Sequence, residues 1–147
     1  MQLIIFLLIA AAAGVLMAIQ GSMNGALGKI VGMLEGNFIV HAIALLAVVI
    51  LLFVIGLGKG DLGKVDEVPW YLFLGGLINV AIIYGVMYAI GNIGAGAATT
   101  AIITGQLAMA LIIDCLGLFG LQQMPMSWGK AIGLALMAVS ARLILCK

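Results

Sequence analysis

The sequence predicts an all-α polytopic membrane protein of five transmembrane helices, and three observations lead to that prediction. Of the 147 residues, 66% are hydrophobic and 7% are charged, whereas a soluble domain carries about 25% charged residues. The apolar residues fall into five long runs that occupy nearly the whole chain. The lysines and arginines divide equally between the two sides of the membrane that five spans would define. Because neither orientation is then favoured, two copies are predicted to pair antiparallel into a ten-helix dimer with inverted symmetry.

Each run is long enough to cross a bilayer, because about 20 helical residues at about 1.5 Å each cover a hydrocarbon core of about 30 Å. We predict a single transmembrane domain over residues 1–147. Its helices are expected at residues 3–26, 38–57, 70–90, 95–119 and 128–145.

The first run is predicted to be a retained helix and not a signal peptide. Met1 and Gln2 include no lysine or arginine, and residues 3–19 form a longer apolar stretch than the core of a typical signal. Residues 29–37 are predicted to connect this helix to the second.

The later connections are short. Residues 58–69 form the most highly charged loop, residues 91–94 form a tight turn, and residues 120–127 separate the last two helices. Trp70 and Trp128 each open a helix, where the amphipathic indole favours the level of the lipid headgroups.

Polar side chains inside the spans are the candidate functional groups, because an amide or a charge in hydrocarbon costs free energy unless it finds a partner. Gln20 and Asn24 are four residues apart and share one face of the first helix. They would either join neighbouring helices by hydrogen bonds or bind a solute. Asn37 and His41 are also four apart, and His41 would either carry a proton or meet water at the helix end.

The third and fourth helices add further candidates. Asn79 is a candidate solute ligand, while Tyr84 and Tyr88 would either line a cavity and hold a cation over their rings or lie near the membrane interface. On the fourth helix Gln106 is a candidate solute ligand. Asp114 is the only acidic residue well inside an apolar run, which indicates a proton or cation site or a carboxylate that reaches the interface.

Several classes of function are excluded on the sequence. The chain has no paired carboxylates, nucleophile motif or phosphate-binding loop, so we expect neither an enzyme nor a catalytic residue. The two cysteines have no metal or redox spacing, and no metal or cofactor is expected. The six basic residues are scattered, which argues against a nucleic-acid partner.

The distribution of basic residues bears on orientation in the membrane. With five spans, the N-terminus and the second and fourth loops share one side, and the other loops and the C-terminus share the opposite side. The first side holds Lys59, Lys64 and Lys130, and the second holds Lys29, Arg142 and Lys147. Orientation normally follows an excess on the cytoplasmic side, so three against three predicts dual topology. Alternatively, a shifted boundary or a partner chain fixes one orientation.

A series of short motifs runs along the whole chain in a fixed order. These are Gln20-x3-Asn24-x2-Leu27-Gly28, Gly75-Gly76, Gly105-Gln106, Ile113-Asp114-x2-Gly117, Pro125 and Gly129-x3-Gly133. With the length and the five spans, this set resembles the YdcZ-type family of the drug/metabolite transporter superfamily.

The resemblance implies a multi-pass protein of the bacterial inner membrane that works as a dimer of five-helix halves. It implies functional roles for the matching positions Gln20, Asn24, Gln106 and Asp114. One departure concerns the related small multidrug resistance proteins, which use a glutamate within the first helix for proton and cation exchange. That helix has no carboxylate here, and Glu35 falls in the predicted loop after it, so the same proton-coupled export mechanism is in doubt.

The leading functional hypothesis is a secondary transporter that moves a small solute by alternating access. Its partners would be the lipid bilayer, the small-molecule substrate and a second copy of the chain or a paralogue. One rival is a non-transporting scaffold or a subunit of a heterodimeric transporter, in which the same amides serve only to join helices. The other rival is a channel.

Overall fold

Five long helices make up most of the chain in a computed structural model that describes residues 2–145. They are α1 (Gln2–Val31), α2 (Met33–Val49), α3 (Leu74–Ile93), α4 (Ala95–Leu116) and α5 (Trp128–Leu145). A helical turn extends α2 to Val54, and another turn precedes α3 from Trp70. Counted with these turns, all five helices are long and apolar enough to cross a membrane. The five predicted spans are therefore confirmed.

The first connection is much shorter than the predicted loop over residues 29–37. Only Gly32 leaves the helical conformation, with φ of 104°, a value that glycine adopts without steric cost. The flanking residues continue both helices, so Glu35 lies in the first turn of α2 and Lys29 in the last turn of α1. Each charge complements the dipole of its helix end, and the prediction that Glu35 lies in a loop was wrong.

The connection between α4 and α5 also differs in its bounds. α4 ends at Leu116, three residues before its predicted end, because Gly117 turns into the left-handed region with φ of 62°. The following segment folds back over the end of α4. The backbone N–H of Met124 donates to the carbonyl of Asp114 at 2.8 Å, and the Gln123 amide donates to the carbonyl of Cys115 at 2.8 Å. These bonds satisfy carbonyls that a helix end leaves unpaired.

The charged loop and the start of α5 are shaped by side-chain caps. Asp61 accepts a hydrogen bond from the Gly63 N–H at 2.9 Å and so begins a short 3₁₀ turn, Leu62–Glu67. Before α5, the Ser127 hydroxyl accepts from the Lys130 N–H at 3.3 Å, the usual role of a serine preceding a helix. The Lys130 ammonium donates to the carbonyl of Pro125 at 3.3 Å.

The chain divides into two compact units, Met1–Gly91 and Asn92–Lys147. In the first, the fully buried Met87 lies against Gly28 and Gly36. In the second, Ala98 and Ala141 are the buried apolar residues where α4 and α5 pack. Nearly all the other large apolar side chains of the spans point outward, as expected for surfaces in contact with lipid. The single-domain organisation stays a prediction.

Candidate functional site

A row of glycines on α1 allows α3 to approach its backbone closely in the first unit. Gly21, Gly25 and Gly28 are buried. A Cβ atom at Gly25 would lie 3.0 Å from Ile90 Cγ2, and one at Gly21 would lie 2.9 Å from Ile90 Cδ1. Small residues permit this kind of close packing between membrane helices. The contact brings the neighbouring amides Gln20 and Asn24 beside α3.

Asn37 connects α2 to α3 by a side-chain hydrogen bond. Its Nδ2 donates to the backbone carbonyl of Val80 at 2.8 Å, and the residue is only 1% exposed. Its Oδ1 is buried and has no hydrogen-bond partner within the described part of the chain. The bond crosses 43 positions of sequence and fixes the level at which α2 lies against α3.

His41 is one turn after Asn37 and connects α2 to α3 a second time. The ring Nδ1 lies 2.9 Å from the backbone oxygen of Asn37. The ring Nε2 lies 3.1 Å from Nδ2 of Asn79, which is on α3. A half-buried imidazole is therefore held at both of its nitrogens, and Asn79 itself remains exposed.

A pocket of about 200 Å³ lies between α1, α2 and α3 in the first unit. Its polar lining is Gln20, Asn24, His41 and Asn79, contributed by α1, α2 and α3. The rest of the lining is Met17, Gly21, Val40, Ala44, Ile82, Ile83 and Val86. No charged group is included among these residues, so the pocket is suited to hydrogen bonding with a small solute inside an apolar wall.

Two of the four polar residues have unused hydrogen-bonding capacity. Gln20 is exposed and Asn24 is only 7% exposed. Neither side chain makes a hydrogen bond to any residue between positions 2 and 145. The amide atoms of Asn24 are not among the fully buried atoms that lack a hydrogen-bond partner in the described residues. They are therefore open to water or to a solute in the pocket.

The remaining predicted site residues lie elsewhere. Tyr84 and Tyr88 are exposed on α3 and do not line the pocket. Gln106 and Asp114 belong to the second unit, where Gln106 is exposed and Asp114 is half-buried in the last turn of α4. Within the described residues, the Asp114 carboxylate has no hydrogen bond or ion pair. Its functional role stays a prediction, as do the roles of the other candidates.

The second unit contains an open groove between α4 and α5. It has a volume of about 500 Å³ and is lined by Thr104, Gly105 and Arg142, among others. The Thr100 and Thr104 hydroxyls donate to the carbonyls of Gly96 and Thr100, each at 2.8 Å. Their donors are thus used within α4.

Among the residues that the structure describes, no group of three or more His, Cys, Asp or Glu side chains could hold a metal ion. Two residues considered in the sequence analysis, Cys146 and Lys147, lie outside the described residues.

Sequence reasoning paired Asn37 with His41 but did not identify what either contacts. The bonds from Asn37 to Val80 and from His41 to Asn79 join positions about 40 residues apart. The only local signal was the four-residue spacing of two polar side chains in an apolar run. That spacing places both groups on one face of α2, but it does not say which helix faces them.

Comparison with known proteins assigns the chain to a family. The family model described as "Putative inner membrane exporter, YdcZ" matches residues 5–143, almost the entire length. No curated protein and no solved structure matches. The match agrees with the motif series, the five membrane-spanning helices and a multi-pass location in the inner membrane. The chain therefore belongs to the YdcZ family, which that description names as putative inner membrane exporters.

Proposed function

We propose that the chain is a secondary transporter that moves a small polar solute across the inner membrane by alternating access. The observation that carries this proposal is the pocket of the first unit, where two amides that bond to no residue between 2 and 145 face an imidazole and a third amide. The family is described as exporters, which supports outward transport. The uncharged lining favours a solute that is recognised by hydrogen bonds.

The residues would have distinct roles in this mechanism. Gln20, Asn24 and Asn79 would bind the solute, and His41 would take up and release a proton between α2 and α3. Tyr84 and Tyr88 would contribute only if a conformational change or a second protomer brings them to the solute. Gln106 and Asp114 would act from the second unit, with Asp114 as a proton or cation site.

A working transporter of this kind would be an antiparallel homodimer. The equal number of basic residues on the two sides gives little bias to insertion, and two oppositely inserted copies would form the inverted repeat typical of many transporters. A paralogue could replace the second copy. The dimer would cover apolar surface that the spans leave exposed.

Flux measurements in proteoliposomes test the proposal. Vesicles would be loaded with a mixed panel of amines, amides, sugars and nucleosides, and released solutes would be identified by mass spectrometry. Gln20→Ala and Gln106→Ala should each lower the flux of the solute that the parent protein moves, and Asn79→Leu should do the same. Ser22→Ala is the matched control, because the Ser22 hydroxyl donates to the carbonyl of Ala18 in its own helix and the residue is outside the pocket lining.

The outcomes separate transport from its rivals. Undiminished flux in Gln20→Ala and Gln106→Ala would remove both residues from the site, and absence of flux for every solute would favour the scaffold or subunit. Asn37 gives that rival its best support, since its amide joins two helices. Steady ionic currents in planar bilayers would instead indicate a channel.

A further inference from the structure

His41 is the only histidine of the chain, and its two contacts match the donor and acceptor pattern of one tautomer. The backbone oxygen of Asn37, 2.9 Å from Nδ1, can only accept a hydrogen bond, so Nδ1 carries a hydrogen. The Asn79 Nδ2, 3.1 Å from Nε2, can only donate, so Nε2 is an acceptor without a hydrogen. The ring in this arrangement is neutral and is the Nδ1–H tautomer, which is the minor form of free histidine in water.

The same contacts fix the orientation of the Asn79 amide. With its Nδ2 directed at the ring, its Oδ1 has no hydrogen-bond partner among residues 2–145 and is the part of this amide that remains available at the pocket. Asn79 is exposed, so its side chain has room to turn. In this state the pocket offers a hydrogen-bond acceptor at Asn79.

Adding a proton to the ring reverses this arrangement. Protonated Nε2 is a donor and can no longer accept from Asn79 Nδ2. The Nδ1 donor has no such freedom, because a backbone carbonyl holds it. The smallest rearrangement that restores a hydrogen bond is a half-turn of the Asn79 amide. This turn directs Oδ1 to the ring and the NH₂ group to the pocket.

Among the described residues, His41 is the one titratable group in the lining of the pocket. α1 contributes Met17, Gln20, Gly21 and Asn24 to the lining, α2 contributes Val40, His41 and Ala44, and α3 contributes Asn79, Ile82, Ile83 and Val86. The other titratable side chains on the described parts of these helices are Lys29, Glu35, Tyr84 and Tyr88, and all four lie outside the lining.

We infer that His41 and Asn79 form a proton-operated switch that changes the pocket from a hydrogen-bond acceptor to a hydrogen-bond donor. With His41 neutral, Asn79 selects solutes that present an N–H or O–H donor. With His41 protonated, it rejects them and accepts solutes that present an oxygen or nitrogen acceptor. The biological meaning of the switch rests on the proposed function. In a transporter, the switch would release a solute that presents a hydrogen-bond donor on the side of the membrane where the proton enters.

Nuclear magnetic resonance of the full chain in lipid nanodiscs tests the switch without any transport assay. With ¹⁵N-labelled His and Asn, the single imidazole gives one pair of ring nitrogen signals. We expect the neutral form to be the Nδ1–H tautomer and to show a through-hydrogen-bond N–N coupling from His41 Nε2 to Asn79 Nδ2. This coupling should disappear when the ring becomes protonated, and it should be absent at every pH in Asn79→Leu. A neutral Nε2–H tautomer, or a neutral ring without the coupling, would overturn the inference.

A pair of small neutral probes tests the ligand class. Pyrrole donates one hydrogen bond, whereas furan has nearly the same shape and has no donor. Pyrrole should perturb the neutral His41 ring more strongly than furan does, and this preference should vanish in the protonated state and in Asn79→Leu. Equal responses to the two probes with the ring neutral, or no response to either, would overturn the assignment of donor solutes. If the parent protein moved no solute but still showed the N–N coupling, the proposed transport function would be wrong and the switch would stand.

Discussion

Asn37 illustrates how one polar residue can be structural in a membrane helix while its neighbours remain available for function. Its side chain is almost fully enclosed and donates to a backbone carbonyl of α3. Gln20 and Asn24, one helix away, make no such bond within the described chain and face the pocket. All three are amides in apolar runs, so only their contacts distinguish a residue that joins helices from a residue that can bind a solute.

The contrast predicts different effects on stability. Asn37→Ala should lower the free energy of unfolding by about 1 kcal/mol, because it removes an interhelical hydrogen bond worth about 0.6 kcal/mol in membrane proteins, along with packing of a buried side chain. Asn37→Asp should cost at least as much, since the buried carboxyl must either remain charged and unable to donate to Val80 or take up a proton at a cost in free energy. Unfolding in mixed micelles followed by circular dichroism measures both changes.

Asn79→Ala is the control for that experiment. The Asn79 side chain is exposed and its hydrogen-bond partner is the His41 ring, so its truncation should change the free energy of unfolding by no more than about 0.5 kcal/mol. Equal destabilisation by Asn37→Ala and Asn79→Ala would indicate that both amides act as structural contacts, as the scaffold hypothesis requires.

At the scale of whole elements, α1 has two sequence regions with different surroundings. The N-terminal part is exposed and includes Gly14, where an added Cβ would contact nothing within 4 Å. The C-terminal part holds the buried glycines, where α3 approaches the backbone. The glycines of the second region are needed for packing, whereas Gly14 is not constrained by a contact within the described chain.

Alanine substitutions in α1 test that difference. Gly25→Ala should destabilise the protein by about 1 kcal/mol, because the new methyl group would meet Cγ2 and Cβ of Ile90 at 3.0 and 3.3 Å, and overpacking of about 1–3 kcal/mol exceeds the gain of about 1 kcal/mol in helix propensity. Gly14→Ala should be neutral or stabilising by up to about 1 kcal/mol. The measurement is again unfolding in mixed micelles. Similar effects of the two variants would contradict the close approach of α3 to Gly25.

For the whole molecule, the balance of basic residues is the feature that bears on assembly. Three of them lie on each side of the five predicted spans. The structure directs Lys130 to the carbonyl of Pro125 in the fourth loop, on the side where the sequence placed it. A change of one or two charges should therefore be enough to impose an orientation.

Two variants with opposite charge changes test the dual topology. Gly60→Lys adds a charge at an open position of the second loop and should direct that loop to the cytoplasm. Lys59→Gln combined with Lys64→Gln should direct it to the opposite side. A C-terminal reporter that is active on only one side of the membrane measures the distribution in each case.

Transport by these variants tests the antiparallel dimer. Each variant alone should transport poorly, because all its copies would insert in the same direction, and co-expression of the two should restore flux. A parent protein whose reporter lies wholly on one side would refute dual topology. Full activity of either variant alone would refute the antiparallel homodimer.

The sequence alone was enough to predict five spans, because the bilayer imposes a length and an apolar composition that can be counted along the chain. It failed at the first connection, where nine residues were predicted to form a loop and only Gly32 leaves the helix. Lys29 and Glu35 lie at helix ends whose dipoles their charges complement, so both are compatible with continued helix. Boundaries such as these depend on the local backbone energy of one residue, which hydropathy does not measure.

The composition and spacing of the chain determined its class, its five spans and its list of polar side chains within them. Only the tertiary structure decided which of those side chains meet: it placed Gln20, Asn24, His41 and Asn79 around one pocket, and it left Tyr84 and Tyr88 outside it. The physical reason is that hydrophobicity acts without direction and is encoded locally, whereas a hydrogen bond requires two particular atoms within about 3 Å. Residues 38 positions apart reach that distance only after their helices have packed.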